Sequence, residues 1–191
     1  MWNDILARIN VVDVVMACII ARIIYIGLAQ GMIVELFKVI GMVVATFISL
    51  HYYVKFAVFI QDAFPLAKSV REFLSFVFLW FLIVSVFAIV RSGWVIGFKA
   101  DKISVLSRVI GGFLAIVRAA LVCGMVFIFI FLSGNRVYEK SARQSLAAFY
   151  LLNVSTGLYD SICDGLLTVF PAEKKNTQVF ELVNKGKKPA N

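Results

Sequence analysis

The chain has 191 residues, of which 62% are hydrophobic and 16% charged, and its mean hydropathy is +0.94. Ordinary soluble domains are roughly 45–50% apolar and about 25% charged, so a water-soluble globule is excluded and an all-α, multi-pass integral membrane protein is expected. The formal net charge of +8 is scattered through apolar sequence and not gathered on one face with interleaved aromatics, which favours anionic lipid headgroups over nucleic acid as the partner.

At the N-terminus, Asp4, Arg8 and Asp13 mix signs and no small-residue cleavage site follows, so the first apolar stretch is expected to be retained and not removed as a signal. The first predicted span runs from Val11 to Gly27, near the lower limit of roughly 17 residues for crossing the hydrocarbon. The second runs from Met32 to Tyr53, where His51, Tyr52 and Tyr53 are placed as an interfacial belt. The third, Phe73 to Val90, is uncharged and ends at Arg91. The fourth apolar region, Val105 to Leu132, is longer than one straight crossing requires and carries Arg108 and Arg118. Either it crosses once, or Ile103 to Arg118 lies in the interface and Ala119 to Gly134 crosses alone.

Two readings stand for the short stretch from Gly27 to Gly31. As a tight helical hairpin it would bring Arg22 and Glu35 to similar depth, where they would form an ion pair. As a GxxxG contact it would let another helix backbone come close. A second smooth strip recurs every four residues at Ser107, Gly111, Ala115 and Ala119, widened by Gly112. In lipid, where apolar surface alone drives no association, such a strip favours close helix packing.

Single charges interrupt the apolar runs at Asp13, Arg22, Glu35, Lys38, Arg108 and Arg118. A charge at membrane depth costs about 2.5–3.5 kcal/mol on insertion scales, so each needs a partner, water or a purpose. Glu35 and Lys38 share a helix face three residues apart and can compensate each other. Arg108 is placed to snorkel toward headgroups, whereas Arg118 lies deeper. Cys18 and Cys123 lie in apolar runs and read as small lipid- or helix-facing residues, and no redox role is expected of them or of Cys163.

After Gly134 the composition shifts, dividing the chain into a membrane-embedded region, 1–134, and a C-terminal segment, 135–191. Residues 135–143 are charged, and Leu158, Ile162 and Leu166 recur every four residues within an amphipathic helix ended by Pro171. That helix lies either on the membrane face or against the bundle. The stretch carrying Lys174, Lys175, Lys185, Lys187 and Lys188 reads as a solvated, disordered tail. Basic residues near span ends place the N-terminus, the loop with Lys55, Lys68 and Arg71, and the tail in the cytoplasm. Arg91, Lys99, Lys102 and Arg108 in the third connection oppose that count, a conflict that a re-entrant fourth region would relieve.

Asp13, Gly31 followed by Glu35, and Ser107-Arg108-Val109-Ile110-Gly111 leading to Arg118-Ala119 together resemble the colicin V production protein (CvpA) family over residues 10–135. The chain departs from the family pattern at Gln30, where an Arg is usual, at Ser107, where an Asp is usual, and at Ala119, where a Gly is usual. Any family role for a charge at positions 30 or 107 therefore does not transfer, and Arg22 stands as an alternative positive charge. The resemblance implies a multi-pass bacterial inner-membrane protein needed for toxin production and associated with envelope homeostasis.

No cofactor is expected. The single His51 excludes a histidine metal cluster, and the sequence has no HExxH, Ser/His/Asp set, P-loop or dinucleotide motif, so a non-enzymatic role is expected. Two roles remain. One is an accessory or scaffold protein whose small-residue strip docks further copies of itself or a membrane-protein partner. The other is a small channel or transporter using Arg22, Glu35 and Arg118.

Overall fold

The computed structural model describes residues 11–62, 65–97, 104–169 and 175–187. Asp4, Arg8, Lys99, Lys102, Ile103, Pro171, Lys174 and Lys188, given roles above, lie outside the described residues. Every regular element among the described residues is a helix: α1 (Val11–Gln30), α2 (Met32–Phe59), α3 (Lys68–Gly97), α4 (Val105–Leu132), α5 (Arg136–Gln144), α6 (Leu146–Val169) and α7 (Thr177–Lys187). Helices α1 to α4 are each long and apolar enough to cross a membrane, and the helix satisfies its own backbone groups where no water can. Thus an all-α, multi-pass membrane protein is what the sequence folds into.

Helix α4 is unbroken from Val105 to Leu132, so its first half is continuous with the crossing segment and does not form a separate re-entrant piece. Its start is capped by Ser104, whose hydroxyl accepts from Ser107 N at 3.2 Å. Beyond its end Gly134 adopts φ +67°, the left-handed conformation that glycine takes without steric cost.

The four spans form an inner and an outer pair. In their most apolar windows 44% of α4 and 39% of α2 is buried, against 11% for α1 and 11% for α3, so α1 and α3 present most of their surface to lipid. Helix α4 is central: α1, α2 and α6 pack along it, while α3 packs chiefly on α2. At the centre Phe129 of α4 meets Phe76 and Trp80 of α3 edge-on, with ring centroids 4.9 and 5.4 Å apart.

The C-terminal helices pack onto this bundle. Gly124 lets α6 approach so closely that a Cβ there would lie 2.1 Å from Ser155 Oγ and 2.5 Å from Leu151 O. The buried stripe of α6 runs through Leu152, Ser155, Tyr159 and Cys163. Leu158 and Ile162, expected to form that stripe, are only half-buried.

His51 and Tyr53 are also interior and not interfacial, and only Tyr52 of the predicted belt is exposed. The reason is a polar junction. His51 Nδ1 lies 3.2 Å from Tyr159 Oη, the phenol oxygen accepts from Asn176 N at 2.9 Å, and Asn176 Nδ2 donates to Leu50 O at 2.8 Å. This junction ties α2, α6 and the start of α7 together. The expected disordered tail is therefore helical over Thr177–Lys187, with Val179 buried, and Lys175 is ion-paired with both Asp160 and Asp164 at 2.6 Å.

Candidate functional site

The site begins at one residue. Gly31 separates α1 from α2 with φ 77° and ψ 177°, a conformation available to glycine and strained for any residue with a Cβ. Backbone bonding continues on both sides, from Gly31 N to Gly27 O at 3.2 Å and from Glu35 N to Gly31 O at 3.3 Å. The chain reverses here, as a hairpin would, but its two arms do not lie along each other. Helix α1 leans on α4 instead.

The second reading of the same glycines is realised at that contact. A Cβ on Gly27 would lie 2.4 Å from Ala115 Cβ and 2.9 Å from Gly111 O, and one on Gly111 would lie 2.7 Å from Gly27 O and 2.9 Å from Gly31 C. Gly112 is closed off by Leu28, and Ala119 is buried in the same α4 strip. The two smooth strips found in the sequence therefore fill each other. The strip of Ser107, Gly111, Gly112, Ala115 and Ala119, expected to dock a partner or another copy, is covered from within the chain.

This close approach positions the polar groups. Ser107 Oγ accepts from Met32 N at 3.0 Å, satisfying one of the backbone donors left free at the start of α2. One turn further, Glu35 is fully buried. Its Oε2 accepts from Lys38 Nζ at 2.9 Å, and Arg118 Nε stands 2.6 Å from its Oε1. The Arg118 contact is an ion pair whose N–H is not aligned as a hydrogen bond. Lys38 Nζ also donates to Gln30 Oε1, so the uncharged residue at position 30 joins the network through its amide.

Glu35 pairs with Arg118 and Lys38, not with Arg22. Arg22 is exposed on α1, because α1 turns toward α4 and carries this residue away from Glu35. Arg108 is likewise exposed near the start of α4. Arg118 lies far along α4, but helical side chains tilt toward the N-terminus, and this lets its guanidinium reach back to the α2 corner. Arg91 is a member that sequence reasoning assigned only to a loop count. It lines a cavity with Lys38 and Arg118. Its signal was there as a basic residue closing an uncharged run, but nothing along the chain pointed to its neighbours.

Asp13 does not join the cluster. Its Oδ1 accepts from Ser145 Oγ at 2.5 Å and from Ala147 N at 3.3 Å, while Ser145 Oγ accepts from Ala148 N at 3.2 Å. A carboxylate of the first turn of α1 thus caps α6, where the positive end of the helix dipole favours it.

A family model described as colicin V production protein matches residues 12–156. The chain belongs to this family. The matched region starts beside Asp13 and ends within α6, so both ends of the Asp13–Ser145 link and the whole Glu35–Arg118 cluster fall inside the family's domain. No curated protein and no solved structure matches the chain.

Proposed function

We propose that this colicin V production family member is a non-enzymatic accessory protein of the bacterial inner membrane, needed for toxin production or export and for envelope homeostasis. The observation that carries this reading is the engagement of Glu35 and Asp13. Glu35 is held by two cations where α1, α2 and α4 meet, and Asp13 caps α6. Both carboxylates hold helices together, as expected of a body that supports other machinery and not of one that turns over a substrate. Because α1 fills the small-residue strip, a membrane-protein partner or a second copy would meet the protein through the lipid-facing sides of α1 and α3. The end that carries α5 to α7 is the cytoplasmic one in this reading, which keeps the lysine-rich tail inside.

The test is complementation of a deletion strain's toxin-production or envelope defect by Glu35→Gln and Arg118→Ala, with membrane levels measured in parallel. Loss of rescue that tracks loss of protein is the expected result. Variants that accumulate normally yet fail to rescue would overturn the accessory reading and put a solute or proton path at the cluster.

A further inference from the structure

Beside the charge cluster, α2, α3 and α4 enclose a cavity of about 210 Å³. Lys38, Arg91 and Arg118 form its polar wall, and Phe37, Met42 and Phe87 form its apolar one. Three cations thus face one buried carboxylate, Glu35, which leaves two positive charges uncompensated among the described residues. Arg118 Nη2 is buried with no hydrogen-bond partner, and Arg91 has no ion-pair partner among the described residues. Buried guanidinium donors are costly when left unmade, and an oxyanion with several oxygens is the group that satisfies converging Arg and Lys donors.

Depth identifies where such an anion would come from. Helices α2 and α3, with 28 and 30 residues, are about 42 and 45 Å long, whereas the hydrocarbon is about 30 Å thick. Several ångströms of each end therefore stand among headgroups. Lys38 and Arg91 lie roughly 9 Å along their helices from Met32 and Gly97 respectively, about 3 Å or less inside the hydrocarbon edge of a centred helix and so close to the headgroup layer that holds the lipid phosphates. The volume is below the roughly 300–1,000 Å³ of sites that enclose a drug-sized ligand, which suits a phosphate group and the first part of one chain, with the rest of the lipid outside.

We propose that this cavity binds the phosphate of an anionic membrane lipid, with Lys38, Arg91 and Arg118 donating to its oxygens and an acyl chain lying against Phe37 and Phe87. A free phosphate offers the same oxygens, but the apolar wall matches only the lipid. The proposal is independent of the accessory role.

The experiment uses the full-length protein in neutral detergent, with thermal unfolding and native mass spectrometry read against phosphatidylglycerol, phosphatidylcholine and inorganic phosphate. Phosphatidylglycerol is expected to raise the melting temperature and remain bound, with roughly tenfold weaker binding in Arg91→Gln and undiminished binding in Arg108→Gln. Equal loss in both variants, or equal binding of both lipids, would overturn the site. Inorganic phosphate reproducing the whole effect, again dependent on Arg91, would overturn the lipid assignment and leave a soluble phosphate as ligand. Should Arg91→Gln fail to accumulate, a photoactivatable phosphatidylglycerol added to the wild type decides. Labelling confined to residues 37–42 and 84–91 supports the proposal, and labelling spread along α1 and α3 sinks it.

Discussion

Replacing Gly111 by alanine adds one methyl group at the tightest contact between α1 and α4. The new Cβ would stand 2.7 Å from Gly27 O, 2.9 Å from Gly31 C and 3.1 Å from Gly31 O, all backbone atoms that no rotamer change can move. Restoring ordinary contact requires the helices to separate by roughly 0.7 Å, and a gap of that size forfeits about a quarter to a half of the dispersion energy across it. Gly93 is the control, because a Cβ there meets nothing within 4 Å. Both substitutions bring the same helix-propensity gain of about 1 kcal/mol, so the difference between them isolates the steric penalty, about 1–3 kcal/mol. At roughly 2–4 °C per kcal/mol for a chain of this size, Gly111→Ala should melt several degrees below Gly93→Ala in the same detergent. The separation also pulls Ser107 from Met32 N, so hydrogen exchange at the start of α2 should rise in Gly111→Ala alone. If the two variants melted together, the close helix contact would not hold the corner and the reasoning would fail.

Glu35→Gln removes the one carboxylate that Lys38 and Arg118 share, and a broken buried pair costs about 3–5 kcal/mol, so membrane accumulation and melting temperature should both drop sharply. Asp13→Asn weakens a charged cap on α6, with an expected loss of about 1 kcal/mol and faster hydrogen exchange over Leu146–Val169. Tyr159→Phe should loosen α7 by deleting the hydroxyl that meets His51 and Asn176, at about 1–3 kcal/mol, read as earlier proteolysis beyond Val169. Burial raises the Tyr159 phenol above its ordinary value near 10, so below that pH it is neutral whether the chain is folded or not. Above that pH the unfolded phenol ionises first and stability falls, a loss that a pH-dependent melting series should show to be steeper in the wild type than in Tyr159→Phe.

Much of the site was written along the chain without its connections. Glu35 with Lys38 three residues on was legible as a pair, because helical spacing alone puts them on one face. The Arg118 contact was not, since it joins α2 to α4 across more than eighty residues of sequence. Arg22 was the nearer candidate in the hairpin picture, which assumed that the arms of a tight turn pack together. The φ of 77° at Gly31 directs α1 elsewhere. Likewise the apolar repeat at Leu158 and Ile162 misidentified the buried side of α6, where Ser155 and Tyr159 are the inward residues because they meet Gly124 and His51.

The sequence by itself determined the solvent of this protein, the number of its spans and the places where charges and smooth strips interrupt them. These follow from hydropathy and helical period, which are properties of one segment at a time. Only the tertiary structure decided that the two strips close on each other and that Arg91 and Arg118 open a cationic cavity beside Glu35. In lipid a side chain facing a neighbouring helix and one facing acyl chains can be equally apolar, so partner choice leaves little trace in hydropathy. It is settled by the torsion at Gly31 and by how closely glycine lets two backbones approach.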